Sequence, residues 1–178
     1  SAMSDRSMTV AGADQPSHAG EPSVYTSDGR QSARAAEIAR GTLRLLAQHG
    51  MRAIAELPLA NGRRADLIAI GPSGEIWIVE IKSSTEDFRV DQKWPEYREF
   101  CDRLLFAVMA DFPVEILPED TGLIIADRYG GELARPAPEH RLPGARRKAL
   151  TLRFARAAAG RWMQAADPEQ KFEAGPRE

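Results

Sequence analysis

The sequence predicts an α/β fold: a central mixed sheet that begins as an antiparallel meander and is flanked by helices. Three observations carry this. Short apolar runs and helix-period segments follow one another as helix, three strands, helical turns, two or three strands, helix. The first three runs are joined by glycine-containing turns, which make antiparallel neighbours. The run Glu75-Ile76-Trp77-Ile78-Val79-Glu80-Ile81-Lys82 is so continuously apolar that it reads as a strand covered on both faces, the central one.

Ser32 is placed to cap a helix running to about Gln48, with Ala35, Ile38, Thr42, Leu45 and Leu46 on one face and Gly50 ending it. Strands Ala53 to Leu59 and Ala65 to Ile70 are joined across Asn61-Gly62, a pair suited to the two positive φ angles of a type I′ turn. Gly71-Pro72-Ser73-Gly74 turns the chain into the central strand. Ser83-Ser84 signals a helix start, and residues 85 to 100 read as short helical turns with Pro95 in the first turn of the last one. Leu104 to Met109 and Gly122 to Ala126 are further strands; Gly130-Gly131 turns into an edge strand near Glu132 to Arg135. A helix from about Ala145 to Trp162 closes the unit, with Leu150, Phe154, Ala158 and Trp162 as its apolar stripe.

Residues 1 to 30 are rich in Ser, Ala, Gly, Pro and Asp without apolar period, and read as a disordered arm in which Ser1-Ala2-Met3 is a cloning remnant. Residues 164 to 178 read as a flexible tail, leaving 31 to 163 as the folded domain. Of the 178 residues, 43% are apolar and 28% charged, which excludes a wholly disordered or fibrous chain. One cysteine, Cys101, excludes an internal disulfide and a cysteine-based zinc site, and His18, His49 and His140 are scattered. No apolar stretch approaches the ~18 residues of a membrane span, so the expectation is a cytoplasmic protein without membrane partners. The net charge of −2 counts against a nucleic-acid binder globally. Locally it does not: Arg141 to Ala166 holds seven basic residues and no acidic one, with Arg146, Arg153 and Arg156 along one side of the stripe. Such a flank either tracks a phosphate backbone or is a solvated face paired with acids elsewhere.

Asp66 falls near the start of one strand, and Glu80 and Lys82 near the end of the next, so a hairpin brings all three to one end of the sheet. Alternation puts Glu80 and Lys82 on one face, about 7 Å apart at the α-carbon. A Glu-x-Lys in a strand also fits a solvated face or a cross-strand ion pair. An ionised carboxylate inside an apolar run, however, costs several kcal/mol unless a cation or strong hydrogen bonds compensate. Mg²⁺, a hard cation that takes one or two carboxylates and retains waters, suits that need.

Asp66 followed by Glu80-Ile81-Lys82 resembles the signature of the PD-(D/E)XK nuclease superfamily, which implies a restriction-endonuclease-like core of order αβββαβ with extra strands and a C-terminal helix. More closely, the blocks Asn61 to Asp66, Ile76 to Ser84, Lys93 to Tyr97 and Leu117 to Ile124 resemble the MmcB family of bacterial DNA-repair-related proteins, from about residue 34 to 162. The resemblance implies Asp66, Glu80 and the carbonyl of Ile81 as ligands of Mg (or Mn), and Lys82 as the group that holds or activates the attacking water. Glu37 on the first helix, or Glu56 on the first hairpin strand, would complete the metal site. Some superfamily members carry Gln and Tyr four residues apart after the last motif strand; here Lys93 and Tyr97 occupy that spacing and would face DNA. Ala65 stands where the motif name has proline. The implied function is Mg-dependent deoxyribonuclease activity in DNA repair, with DNA and repair proteins as partners. The alternative is a non-catalytic DNA- or protein-binding module on the same fold.

Overall fold

A computed structural model of the chain describes residues 33–172. Ser32, the arm before it and the end of the tail lie outside the described residues. Helix α1 (Ala33–Gln48) turns Ile38, Ala39, Leu45 and Leu46 inward. It ends where the Gly50 N–H donates to Ala47 O, the Met51 N–H donates to Leu46 O, and Gly50 takes a φ of 74°. This is the glycine-terminated helix end that the sequence predicts.

Six strands form one sheet in sequential order: β1 (Arg52–Pro58), β2 (Arg64–Ile70), β3 (Ile76–Ile81), β4 (Arg103–Val108), β5 (Gly122–Ala126) and β6 (Gly131–Arg135). β1, β2 and β3 make the antiparallel meander; β3, β4 and β5 are parallel; β6 returns antiparallel as an edge. The β1–β2 turn departs from the type I′ expectation. Gly62 has φ 82°, but Glu56 is the one non-glycine residue with positive φ among the described residues, so Asn61 keeps a negative one. The Gly62 N–H donates to Leu59 O and the Leu59 N–H to Arg63 O, a three-residue loop in which glycine alone supplies the left-handed position. Gly71 to Glu75 repeats this arrangement, with Gly74 at φ 87°.

α1 covers one face of the sheet, packing on Leu67, Ala69, Val79, Ile81, Leu105, Ala107, Ile124 and Ala126. Its Gly41 lies so close to the β5–β6 turn that a β-carbon there would stand 1.9 Å from Asp127 O. The opposite face carries helix α2 (Thr85–Val90), the 3₁₀ turns Trp94–Phe100 and Val114–Ile116, and helix α3 (Gly144–Ala166). Ser84 caps α2 by accepting from the Asp87 N–H at 3.1 Å, and Pro95 stands in the first turn of Trp94–Phe100. α3 continues past the expected end at Trp162, and only Leu150 of its expected stripe is buried. Phe154 and Ala158 are half-buried, while Trp162 is 72% exposed.

Candidate functional site

The hydrogen-bond ladder of the meander is interrupted at one residue, Asp66. On the β1 side, the paired residues Ala55↔Leu67 and Leu57↔Ala65 bracket an unpaired Glu56 opposite Asp66. On the β3 side, pairing stops at Leu67↔Val79, one step before Asp66 would meet Glu80. The inside-outside alternation slips at the same place. Ala55 and Leu67 pack under α1, whereas Leu57 and Ala65 pack on the opposite face. Glu56 absorbs the slip with a φ of 54°, a left-handed conformation that costs a non-glycine residue about 1 kcal/mol or more.

Side chains replace the missing ladder. The Ile81 N–H donates to Asp66 Oδ2 at 2.8 Å, and the Asp66 N–H donates to Glu80 Oε1 at 3.2 Å. The two carboxyl groups are also within hydrogen-bonding reach of each other. Glu80 is buried between the apolar neighbours that made its strand read as central. Burial pushes its pKa well above the usual carboxylate range, and the nearby Asp66 charge pushes it further. Asp66 is raised as well, mainly by burial, although the Ile81 N–H and Lys82 act against this. Two such oxygens facing one another favour either a shared proton or a cation. Two carboxylates are hard oxygen donors of the kind that suits Mg²⁺ or Mn²⁺.

Lys82 lies on the same face as Glu80, as alternation predicts, and it is buried. Its ammonium donates to Asp91 Oδ2 at 2.6 Å. Burial, the largest influence, works against its charge, but the bond to Asp91 together with the charges of Asp91, Glu80 and Asp87 overcomes it and raises its pKa, so Lys82 stays protonated. Asp91, which also accepts from the Lys93 N–H, was not singled out by the sequence. The available signal was a buried lysine in need of a counter-charge within a short stretch holding Asp87 and Asp91.

A third carboxylate is not brought to the pair. Among the described residues, no three His, Cys, Asp or Glu side chains are grouped to hold a metal ion. Glu37 rides on α1, which covers the sheet face opposite Glu80 and Lys82. Glu56 lies across from Asp66, but its carboxylate sits 3.9 Å from Arg64. Lys93 and Tyr97 are not brought to one face either. Lys93 precedes a 3₁₀ turn, in which residues three apart rather than four share a face. Lys93 is exposed, whereas Tyr97 is buried and its hydroxyl donates to Arg64 O at 2.9 Å, pinning this turn to β2 beside the carboxyl pair. Burial, then Glu80 and Asp66, raise the Tyr97 pKa.

The basic flank is partly committed to structure. Arg146 donates to Glu99 O at 2.9 Å and stacks on Phe100 at 5.1 Å. Arg147, absent from the expected flank, makes two 2.6 Å bonds to the buried Asp102. Arg153 and Arg161 reach Pro58 O and Glu56 O, each at 3.3 Å, so the side of α3 that carries these two arginines lies along edge strand β1. Arg156 is exposed. A cavity of about 660 Å³ lies elsewhere, lined by Met109, Asp111, Ile125, Asp127, Tyr129 and Glu132 among others. Its lining carries three acids and no base, which does not suit a polyanion.

No helix among the described residues is long and apolar enough to cross a membrane. No curated protein matches the chain. A solved structure, a protein of unknown function from Silicibacter pomeroyi, is 45% identical with a TM-score of 0.77, the match covering 79% of this chain and 97% of that one. Residues 22–169 match the family described as DNA repair protein MmcB-like, a span that takes in the whole sheet, the carboxyl pair and α3, and the chain therefore belongs to the MmcB-like DNA repair protein family.

Proposed function

We propose that the chain is a Mg²⁺- or Mn²⁺-dependent DNA nuclease of the PD-(D/E)XK kind, hydrolysing phosphodiester bonds in repair. The observation that carries this reading is the carboxyl pair itself: half-buried Asp66 and buried Glu80, in mutual reach, at the one point where the meander gives up backbone pairing. Asp66, Glu80 and the carbonyl of Ile81 would hold the cation. When bound, the metal supplies Lewis-acid polarisation of the phosphate and a lowered pKa for a coordinated water. The N–H groups of Ile81 and Asp66 fix the two carboxylates in orientation, so little reorganisation is needed on binding. Lys82, protonated and on the same face, would position the attacking water and offset charge on the phosphate.

A second reading has one observation in its favour. Lys82 is held by Asp91 at 2.6 Å, which suits a domain that binds DNA without cutting it. One experiment separates the two. Single-stranded, duplex and branched DNA are incubated with Mg²⁺, Mn²⁺ or chelator, beside Asp66→Ala and Lys82→Ala. The nuclease reading expects metal-dependent cleavage lost in both variants. Cleavage that survives both removes the site; binding without cleavage under every metal condition assigns the module.

A further inference from the structure

We infer that Trp162 on α3 is a stacking platform for an unpaired DNA base, and that the chain therefore selects DNA containing a single-stranded segment. The inference rests on the DNA reading above and names the substrate class that this face suits. Trp162 is 72% exposed near the end of α3. Its four neighbours on the helix surface, at positions 158, 159, 165 and 166, are all alanine, so no side chain of the helix covers either face of the indole. Leu152, at 61%, and Met163, at 42%, extend the exposed apolar surface on that side.

The occupant is argued from charge and from continuity with the carboxyl pair. The helix offers Arg153, Arg156 and Arg161 and no acid, which favours a polyanion. Arg161, next to Trp162 in sequence, donates to the carbonyl of Glu56, and Glu56 stands directly across β1–β2 from Asp66. A strand whose base lies on Trp162 would thus have its phosphates at Arg161 and continue over β1 toward the carboxyl pair. Duplex DNA presents no free base face to such a ring, whereas every unpaired base does.

The test uses the full chain in chelator, so that binding is read without cleavage. Fluorescence and polarisation titrations compare an oligothymidylate of about 16 nucleotides with a blunt duplex. Expected is quenching of tryptophan emission by the single strand. Trp162→Ala should weaken single-strand binding roughly 5- to 150-fold, the range of one base–aromatic stack, and leave duplex binding unchanged. Trp162→Phe should recover part of the loss, and an unchanged thermal midpoint for both variants confirms the fold. Equal affinity of wild type and Trp162→Ala for the single strand overturns the inference while leaving the DNA reading in place, as does binding to duplex alone. Binding to neither DNA overturns both. Light scattering closes the remaining route: a dimer that Trp162→Ala converts to monomer would assign this face to a second copy of the chain and overturn the inference.

Discussion

Replacing Arg147 with methionine should destabilise the domain by about 3 kcal/mol or more, because it strands a buried charge. Asp102 is 1% exposed and sits where four segments meet. Its carboxylate accepts from the Ile76 N–H at the start of β3, from the Leu142 N–H ahead of α3, and from both terminal guanidinium nitrogens of Arg147. Burial alone would raise its pKa; the Arg147 hydrogen bonds, followed by those from Leu142 and Ile76, overcome this and bring it to about 2, against 3.8 for an unperturbed aspartate. That gap corresponds to about 2 kcal/mol at ~1.36 kcal/mol per pH unit. Because the folded pKa is the lower one, this stabilisation is complete above about pH 4 and disappears as pH falls toward 2. Urea unfolding at pH 7 and at pH 3 measures both quantities. In Arg147→Met the neutral-pH loss should appear and the acid sensitivity shrink. The double variant Asp102→Asn with Arg147→Met should be more stable than Arg147→Met alone, since no unpaired charge remains buried. A loss below about 1 kcal/mol in Arg147→Met, or a double variant no better than the single one, would refute the reasoning.

Glu80→Gln should raise the thermal midpoint of the metal-free protein, since it removes one member of a carboxyl pair whose pKa values burial has raised, and should abolish any rise in midpoint on adding Mg²⁺; a metal-induced rise that persists in the variant counts against the site. Gly41→Ala should destabilise by about 1–3 kcal/mol in urea unfolding despite alanine's better helix propensity, because its β-carbon would meet Asp127 O at 1.9 Å. Tyr97→Phe should cost about 1 kcal/mol by leaving Arg64 O unpaired near the carboxyl pair, and a neutral result would show that water replaces the hydroxyl. Arg153→Glu should weaken DNA binding and flatten its dependence on salt, measured as the slope of log affinity against log salt concentration; an unchanged slope places the DNA elsewhere.

The parts of the fold that were legible in the sequence are those set by short-range chemistry. Gly50, Gly62 and Gly74 stop a helix or turn a hairpin because glycine takes a positive φ at the least cost, and all three take one. The continuous apolar run of β3 announced a strand covered on both faces, and its lone Glu and Lys stood out for that reason. What was not legible depends on distant partners. Seven residues are too few to separate a period of 3.0 from 3.6, so Trp94–Phe100 gave no sign that Lys93 and Tyr97 would part. Asp102 looked like any acid beside a strand; its importance comes from Leu142 and Arg147, some 40 residues further along the chain. The stripe on α3 is built from residues four apart, which drift about 40° round the helix at each step, so the side that buries Leu150 leaves Trp162 72% exposed although Arg161 beside it reaches β1.

The carboxyl pair and Asp102 give opposite responses to acid, and this makes the site visible without a nuclease assay. Glu80 has a folded pKa raised well above its unfolded value of 4.5, so at neutral pH the metal-free fold bears the cost of a buried charge or of taking up a proton. That cost falls as pH drops toward 4.5, and the domain gains stability, whereas below about pH 4 the loss of the Asp102 contribution takes over. The metal-free protein should therefore be most stable on the acid side of neutrality, in thermal unfolding followed from pH 7 to pH 3. Saturating Mg²⁺ should move the optimum upward, because a cation competes with protons for the same oxygens. In Glu80→Gln the acid optimum should flatten while the fall below pH 4 remains, since Asp102 is untouched. A wild-type profile that only declines from pH 7 downward would mean that the Glu80 carboxyl is not held in the low-dielectric setting that its hydrogen bonds and burial describe.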